Sequence, residues 1–490
     1  MSKRSRREKR REGGSSNGTA QPARSRSVDR NPQQVNGLML RQAAEWMIGE
    51  RSFDELKFHG NTKWTAPSLI FLAVLWVWSD HDTLTGAFAQ ARDLALNLVG
   101  SVAVTTYQGL SNALVSATPQ LLPLVWARMQ GLMQQHGGEY YRVSGWVPLA
   151  VDGSRVSVPR TSKNEEALCA PNHGRSKSAK GKAKKRRKAG KVQRQKSVLP
   201  PKPQIWITKI WHMGLRLTWC WKTGPSNSSE RAHFAELLET QTFPEKTLFC
   251  ADAGFVGYDL WQRISNKKHH FLIRVGANVR LLRHLAYCRE GHGVVYCWPD
   301  KAARKRQPPI TLRLIEMRLG RTPIYLVTNV LDPELLSASD AKTMYELRWG
   351  IELQFRTAKQ TFRLAKLRSR TPERALVELD WSLVGLGMIQ LFAVKEQLAI
   401  GEPPARSSAA MAIRAVRESF HQWSEVPARG KTLRDKLASA LKDTYKRSKK
   451  SKQARHRPDN KDKPHAGKPN IKSASNQQKQ LFKLVCKNMH

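Results

Sequence analysis

Acidic residues are scarce in this chain: 39 Asp and Glu stand against 84 Lys and Arg, a formal net charge of +45 over 490 residues. That imbalance exceeds what solubility requires and selects a polyanion as partner, nucleic acid first and an anionic membrane surface second. Cysteine is scarce too. The six, Cys169, Cys220, Cys250, Cys288, Cys297 and Cys486, form no C-x-x-C pair and no His/Cys metal spacing, so a reducing compartment is expected and structural zinc is not. No apolar run approaches the roughly 20 residues a bilayer requires. The best, Leu69 to Trp78, is bounded by polar residues and reads as a buried helix, so no membrane partner is expected. There is no signal-peptide pattern and no internal repeat, and GRSKSAKGK lacks the spacing of a phosphate-cradling loop.

What is present is a core-forming composition, 40% hydrophobic with 15 tryptophans, interrupted by basic stretches. Residues 1–30 carry 10 Lys/Arg against 3 acids, 173–196 carry 12 against none, and 442–490 carry 15 against 3. Such runs read as solvated tails or linkers whose contribution is salt-sensitive phosphate attraction. A basic disordered leader is therefore expected at 1–32. Residues 33–145 read as an all-α DNA-binding region: LMLRQAAEWMIGE, PSLIFLAVLWVWS, TLTGAFAQARDLALNLV and TTYQGLSNALVS carry helical patterns, with Trp76, Trp78 and Trp126 as core. From Trp146 the pattern turns to strands. VPLAVDGSRVSV, PQIWITKIWHM and LRLTWCWKTG suggest three antiparallel strands, followed by helix and strand in alternation, which predicts a mixed α/β sheet over 146–400 with a basic linker at 172–198. A β-leaning stretch at about 277–335 looks inserted, and 401–490 reads as weakly helical, then basic and low in complexity.

The segment YELRWGIELQFRTAK holds Tyr345, Arg348, Glu352 and Lys359 at offsets 0, 3, 7 and 14. At about 100° per residue these four share one polar stripe about 60° wide. Met344, Leu347, Ile351, Phe355, Ala358 and Phe362 form a separate apolar stripe that would anchor the helix to a core.

Two aspartates give that stripe a chemical use. Asp152 closes the strand PLAVD just before Gly153, and Asp252 closes LFCAD just before Ala253-Gly254, positions that project side chains into the crevice beyond a sheet. With Glu352 they make three carboxylates suited to hard, oxygen-seeking ions, Mg²⁺ or Mn²⁺. Two such ions support in-line phosphodiester displacement without a protein nucleophile. Arg348 and Lys359 would then bind phosphate, and Tyr345 would hydrogen-bond a phosphate or orient Arg348. Taken singly, each has an ordinary reading: an Asp before Gly is a turn residue, and a Glu or Lys on an exposed helix is solvated.

The order Tyr-x2-Arg-x3-Glu-x6-Lys, with DGS around Asp152 and ADAGFxG around Asp252, resembles the DDE transposases of insertion sequence family four over about residues 146–400. The resemblance implies a ribonuclease-H-like catalytic domain with a β-rich insertion before the glutamate helix. By the same carry-over Asp152, Asp252 and Glu352 are the metal-binding triad for two Mg²⁺ or Mn²⁺ ions, and Tyr345, Arg348 and Lys359 contact the transposon end. Trp298, in VVYCWPDK, becomes the candidate for stacking on a flipped base. The implied activity is cut-and-paste transposition: binding of terminal inverted repeats in double-stranded DNA, cleavage at the element ends, and joining of 3′-hydroxyls to target DNA. A dimer in the DNA complex and a cytoplasmic, nucleoid-associated bacterial setting go with it. The rival readings are a nuclease of the same fold without strand transfer and a non-catalytic DNA-binding descendant.

Overall fold

Threonine precedes three of the amino-terminal helices, and in each its hydroxyl accepts a first-turn backbone N–H: Thr65 from Ser68, Thr83 from Gly86 and Thr106 from Gly109. The helices are Asn36–Ile48, Ala66–Trp78, Leu84–Val99 and Tyr107–His136. The computed structural model describes residues 35–49, 53–169, 202–285, 291, 293–319, 322–424, 430–442 and 467–487. The leader expected at 1–32 and the basic linker at 172–198 lie outside these residues.

Tyr107–His136 is longer than its sequence pattern, running 30 residues through Pro119 and Pro123. Each proline removes a donor and crowds the preceding turn. Burial of Leu114, Leu121, Val125, Met129 and Leu132 along the helix outweighs that cost.

The bundle packs on the 28-residue helix Pro372–Ala399. By length and composition alone this helix could cross a bilayer, but 94% of its apolar window is buried inside the protein. Glycine lets it approach closely: a Cβ on Gly385 would fall 2.5 Å from Val77, and one on Gly387 3.0 Å from Trp126. Trp76, Trp78 and Trp126 are core as expected, and Trp78 Nε1 donates to the Gly385 carbonyl at 2.9 Å. One continuous hydrophobic core joins bundle, central helix and sheet.

Among the described residues the sheet has ten strands: β1 (Val147–Ser157), β2 (Gln204–His212), β3 (Leu217–Pro225), β4 (Thr247–Ala251), β5 (His270–Val275), β6 (Arg280–Arg283), β7 (Val294–Cys297), β8 (Ile310–Leu319), β9 (Thr322–Thr328) and β10 (Asn470–Ser473). Their spatial order is β10-β6-β7-β8-β9-β5-β4-β1-β2-β3. β1, β4 and β5 run parallel to one another, and β2 and β3 extend the sheet antiparallel beyond β1. Helices Glu230–Thr240 and Tyr258–Asn266 supply the two crossovers. The architecture is thus a mixed α/β sheet with flanking helices. The β-rich stretch at about 277–335 is continuous with this sheet, because β9 pairs antiparallel with β5.

The basic carboxyl-terminal stretch contributes regular elements that its composition did not announce. Residues 470–473 pair parallel with β6, and the helix Asn476–Lys487 follows. Asn470 N–H donates to the Val279 carbonyl at 2.9 Å and Ala474 N–H to Arg283 at 2.8 Å. An unpaired strand edge offers backbone partners to whatever sequence reaches it, so no strong apolar alternation was needed.

Candidate active site

The end of the β1–β4 pairing builds the site. The parallel register runs Val147↔Thr247 to Val151↔Ala251 and stops, so the next residue on each strand, Asp152 and Asp252, stands beside the other. Asp152 does not close its strand as its sequence suggested. β1 continues to Ser157 because its antiparallel pairing with β2 persists through Ser157↔Gln204. Asp252 does follow the last residue of β4, and it caps the single 3₁₀ turn Ala253–Phe255 by accepting the Gly254 N–H at 2.8 Å. Asp152 accepts its neighbour Gly153 N–H at 2.8 Å through the same kind of oxygen, Oδ1. Neither Oδ2 accepts a hydrogen bond among the described residues.

The glutamate segment is a jointed helix. Ala338–Leu347 ends, Gly350–Arg356 resumes, and Thr357–Thr361 is a π-turn. At the joint the bonds tighten to i→i−3, Trp349 to Glu346 and Ile351 to Arg348, both within 3.3 Å. A Cβ on Gly350 would lie 2.1 Å from the Trp211 ring, so the joint rests directly on β2. The predicted apolar stripe holds: Met344, Ile351, Phe355, Ala358 and Phe362 are buried, and Leu347 is partly so.

The polar stripe divides. Glu352 is exposed, with its side chain 46% accessible, and Arg348 Nη2 lies 3.6 Å from its Oε1. Lys359 Nζ donates to Ser154 Oγ at 2.6 Å, tying the π-turn to β1 two residues beyond Asp152. Burial holds the Lys359 amine below its ordinary value. Tyr345 and Arg348 share the polar stripe with the exposed Glu352, yet Tyr345 is 1% and Arg348 5% accessible. Both face inward, where the guanidinium lies 5.2 Å from the Tyr345 ring and 5.4 Å from that of Trp349. Trp298 is likewise buried. Its Nε1 donates to the Gln307 carbonyl at 2.8 Å and its ring meets Phe482 edge-on, so packing by the insertion and the carboxyl-terminal helix corrects the base-stacking assignment.

Electrostatics gather the acids into one field. Asp152 is pushed up to about 6, first by burial and then by the charges of Asp252 and Glu352, against the Gly153 N–H and Arg348. Glu230, at the first turn of Glu230–Thr240, is pushed up to about 7 by burial and then by Asp152 and Asp252, against Arg155. An all-oxygen donor set that repels itself and keeps an unengaged oxygen on each aspartate fits a hard divalent cation. The acids are neighbours rather than a formed cage: among the described residues no three His, Cys, Asp or Glu side chains are gathered closely enough to hold an ion.

Four residues escaped sequence reasoning. Glu230 looked like an ordinary first-turn acid complementing a helix dipole. Trp349 and Leu353, which flank Glu352 and are 52% and 44% accessible, lie off the four-residue polar pattern. Lys209 is the register partner of Asp152 and is fully buried; burial lowers it to about 7, and its Nζ has no hydrogen-bond partner among the described residues. It lies 5.2 Å from the Phe355 ring, beneath the glutamate helix. Inside an apolar strand pattern, no local signal distinguishes such a lysine from a solvent-facing one.

Residues 147–384, just under half of the chain, match the family described as transposase DDE domain. Over 182 residues the chain is 28% identical to the transposase InsG for insertion sequence element IS4 of Escherichia coli (strain K12). That alignment covers 35% of this chain and spans 40% of the relative's length. A cryo-EM structure of a piggyBac transposase synaptic complex with hairpin DNA aligns over 83% of this chain and 86% of its own, at 10% identity and a TM-score of 0.39, a likeness too loose to bear on the fold.

Proposed function

We propose that this protein is a cut-and-paste DNA transposase in which Asp152, Asp252 and Glu352 hold two Mg²⁺ or Mn²⁺ ions. The observation that carries this reading is the side-by-side exit of Asp152 and Asp252 from the β1–β4 pair, with Glu352 near enough to raise Asp152, inside a transposase DDE domain. The strand order β3-β2-β1-β4-β5, with three parallel and two antiparallel members, supports a ribonuclease-H-like core. Bound ions would supply Lewis-acid activation of water or a 3′-hydroxyl and neutralise charge on the leaving oxygen.

The side chains have separable tasks. Arg348, buried against Tyr345 and Trp349, lends fixed positive charge next to Glu352, and Tyr345 orients it. Lys359 meets phosphate at the cleaved strand from its seat on Ser154. The helical region 33–145 binds the terminal inverted repeats, and the basic stretches add sequence-independent attraction for DNA. Two ends held together call for two copies in the DNA complex.

The test is a duplex taken from the DNA bordering the coding region, incubated with the full chain and Mg²⁺. Cleavage at a discrete end and joining of labelled ends to an unrelated plasmid are expected. Glu352→Gln should abolish both while leaving end binding intact. Undiminished cleavage by that variant refutes the reading, and cleavage without joining reduces it to a nuclease.

A further inference from the structure

Beside the glutamate helix lies a cavity of about 220 Å³ whose charged lining is wholly cationic: Arg216, Arg356 and Lys442, with no acid among the described residues. Its walls come from β2, the turn before β3, the glutamate helix, the central helix and the start of the helix Ala409–His421. Arg216 sits in that turn at a φ of +61°, a left-handed conformation uncommon outside glycine, with its guanidinium 5.5 Å from the Trp211 ring. Neither Arg216 nor Arg356 has an ion-pair or hydrogen-bond partner among the described residues. Lys442 Nζ donates to the Ala405 carbonyl at 2.7 Å, which leaves the ammonium with donors to spare. Burial holds Arg216 below its ordinary value, and burial followed by the Arg216 charge does the same to Lys442. The two cations thus repel each other with no acid to relieve them.

The backbone adds to this field. Ala409 and Ala410 open their 13-residue helix onto the cavity, and their N–H groups have no acceptor among the described residues, since the Ser408 cap takes Met411. Uncompensated cations beside free amides make a seat for an oxyanion, and a guanidinium fork matches phosphate oxygens. Arg356 and Lys442 are exposed, so the cavity is open to a phosphate that stays attached to a polymer.

We infer that this cavity seats one backbone phosphate of the end DNA, held by Arg216, Arg356 and Lys442. The inference rests on the transposase reading above and adds a phosphate contact separate from that of Lys359. Leu353, which follows Glu352 in the chain, forms part of the wall, so a strand anchored here also passes the glutamate.

The test is a panel of end duplexes, each with a single uncharged methylphosphonate in place of a backbone phosphate, bound by the full chain without divalent cation. In wild type, neutralising the seated phosphate should weaken binding about tenfold. The double variant Arg216→Gln/Arg356→Gln should bind the unmodified duplex about tenfold more weakly and lose all further sensitivity at that one position, while other sensitive positions keep theirs. Far-UV circular dichroism verifies the fold; should the double variant not fold, the exposed Arg356→Gln alone is read in the same way for a smaller loss. A variant whose profile across positions matches that of wild type overturns the phosphate seat and leaves the transposase reading standing. Loss of inorganic phosphate binding in the variant with an unchanged duplex profile also overturns it, and gives the cavity to a free anion. Failure of wild type to bind any end duplex overturns both.

Discussion

The helix Pro372–Ala399 and the helical run 338–361 are neighbours in the chain and built on opposite terms. The first is unbroken for 28 residues, and its polar groups are met one by one. Trp381 Nε1 donates to Thr118 Oγ1 at 2.9 Å, the Glu378 carboxylate accepts the Arg368 and Ser369 N–H groups at 3.0 and 2.8 Å, and Gln390 exchanges hydrogen bonds with Gln354 at 2.6 and 2.9 Å. The second is jointed at Arg348–Trp349, widened into a π-turn at Thr357–Thr361, buried on one side and open at Glu352. The Gln390–Gln354 pair clips one to the other. Regularity and burial belong to the helix that bears load, and irregular turns to the one that presents chemistry, where they aim individual side chains at the expense of ideal geometry.

Trp381→Ala strikes the first helix at a fully buried ring and should cost about 3–5 kcal/mol, read as a lowered urea midpoint. A loss no larger than that of a surface substitution would deny the central helix its structural role. Lys359→Ala strikes the second. Removing the bond to Ser154 should cost about 1 kcal/mol of stability, and it should reduce the slope of log affinity for end DNA against log salt by about one. A large stability loss with an unchanged slope would make Lys359 a structural residue and blur the contrast.

A further contrast is a pH gradient in the site. Asp152 titrates at about 6 in the fold against an ordinary 3.8, so between those values the folded chain holds more protons there than the unfolded chain. Stability from this group is full below about pH 4 and is lost as pH rises through about 6. Compared with Asp152→Asn, metal-free wild type should therefore lose Tm steadily from pH 4.5 to 7. A constant difference across that range would mean that Asp152 is not held protonated by its surroundings. The paired comparison is required because burial holds His212 down to about 3, which contributes the opposite slope as pH falls below about 6.5.

Much of this was readable along the chain. Apolar periodicity located the amino-terminal helices, the β1–β3 strands and the buried face of the glutamate helix, because element type follows from local pattern. The three acids announced themselves by their strand and helix settings and by their spacing from Tyr345 to Lys359. The wheel that put Tyr345, Arg348 and Glu352 on one stripe assumed a constant 100° advance. It failed where Gly350 settles on Trp211, a contact between residues far apart in sequence. The carboxyl-terminal strand was invisible for a related reason: its partner is an edge near residue 280.

The sequence alone determined which residues were singled out as candidates for the proposed chemistry, Asp152, Asp252, Glu352 and Lys359 among them, and the order of elements that carries them. Tertiary structure decided which side chains reach the site. It buried Trp298 beneath Phe482, turned Tyr345 and Arg348 inward, set the unpaired Lys209 opposite Asp152, and folded Glu230 over Gly153. Local pattern fixes backbone periodicity, but exposure and charge environment are set by the partners packed around a group, and those partners come from segments that only the folded chain brings together.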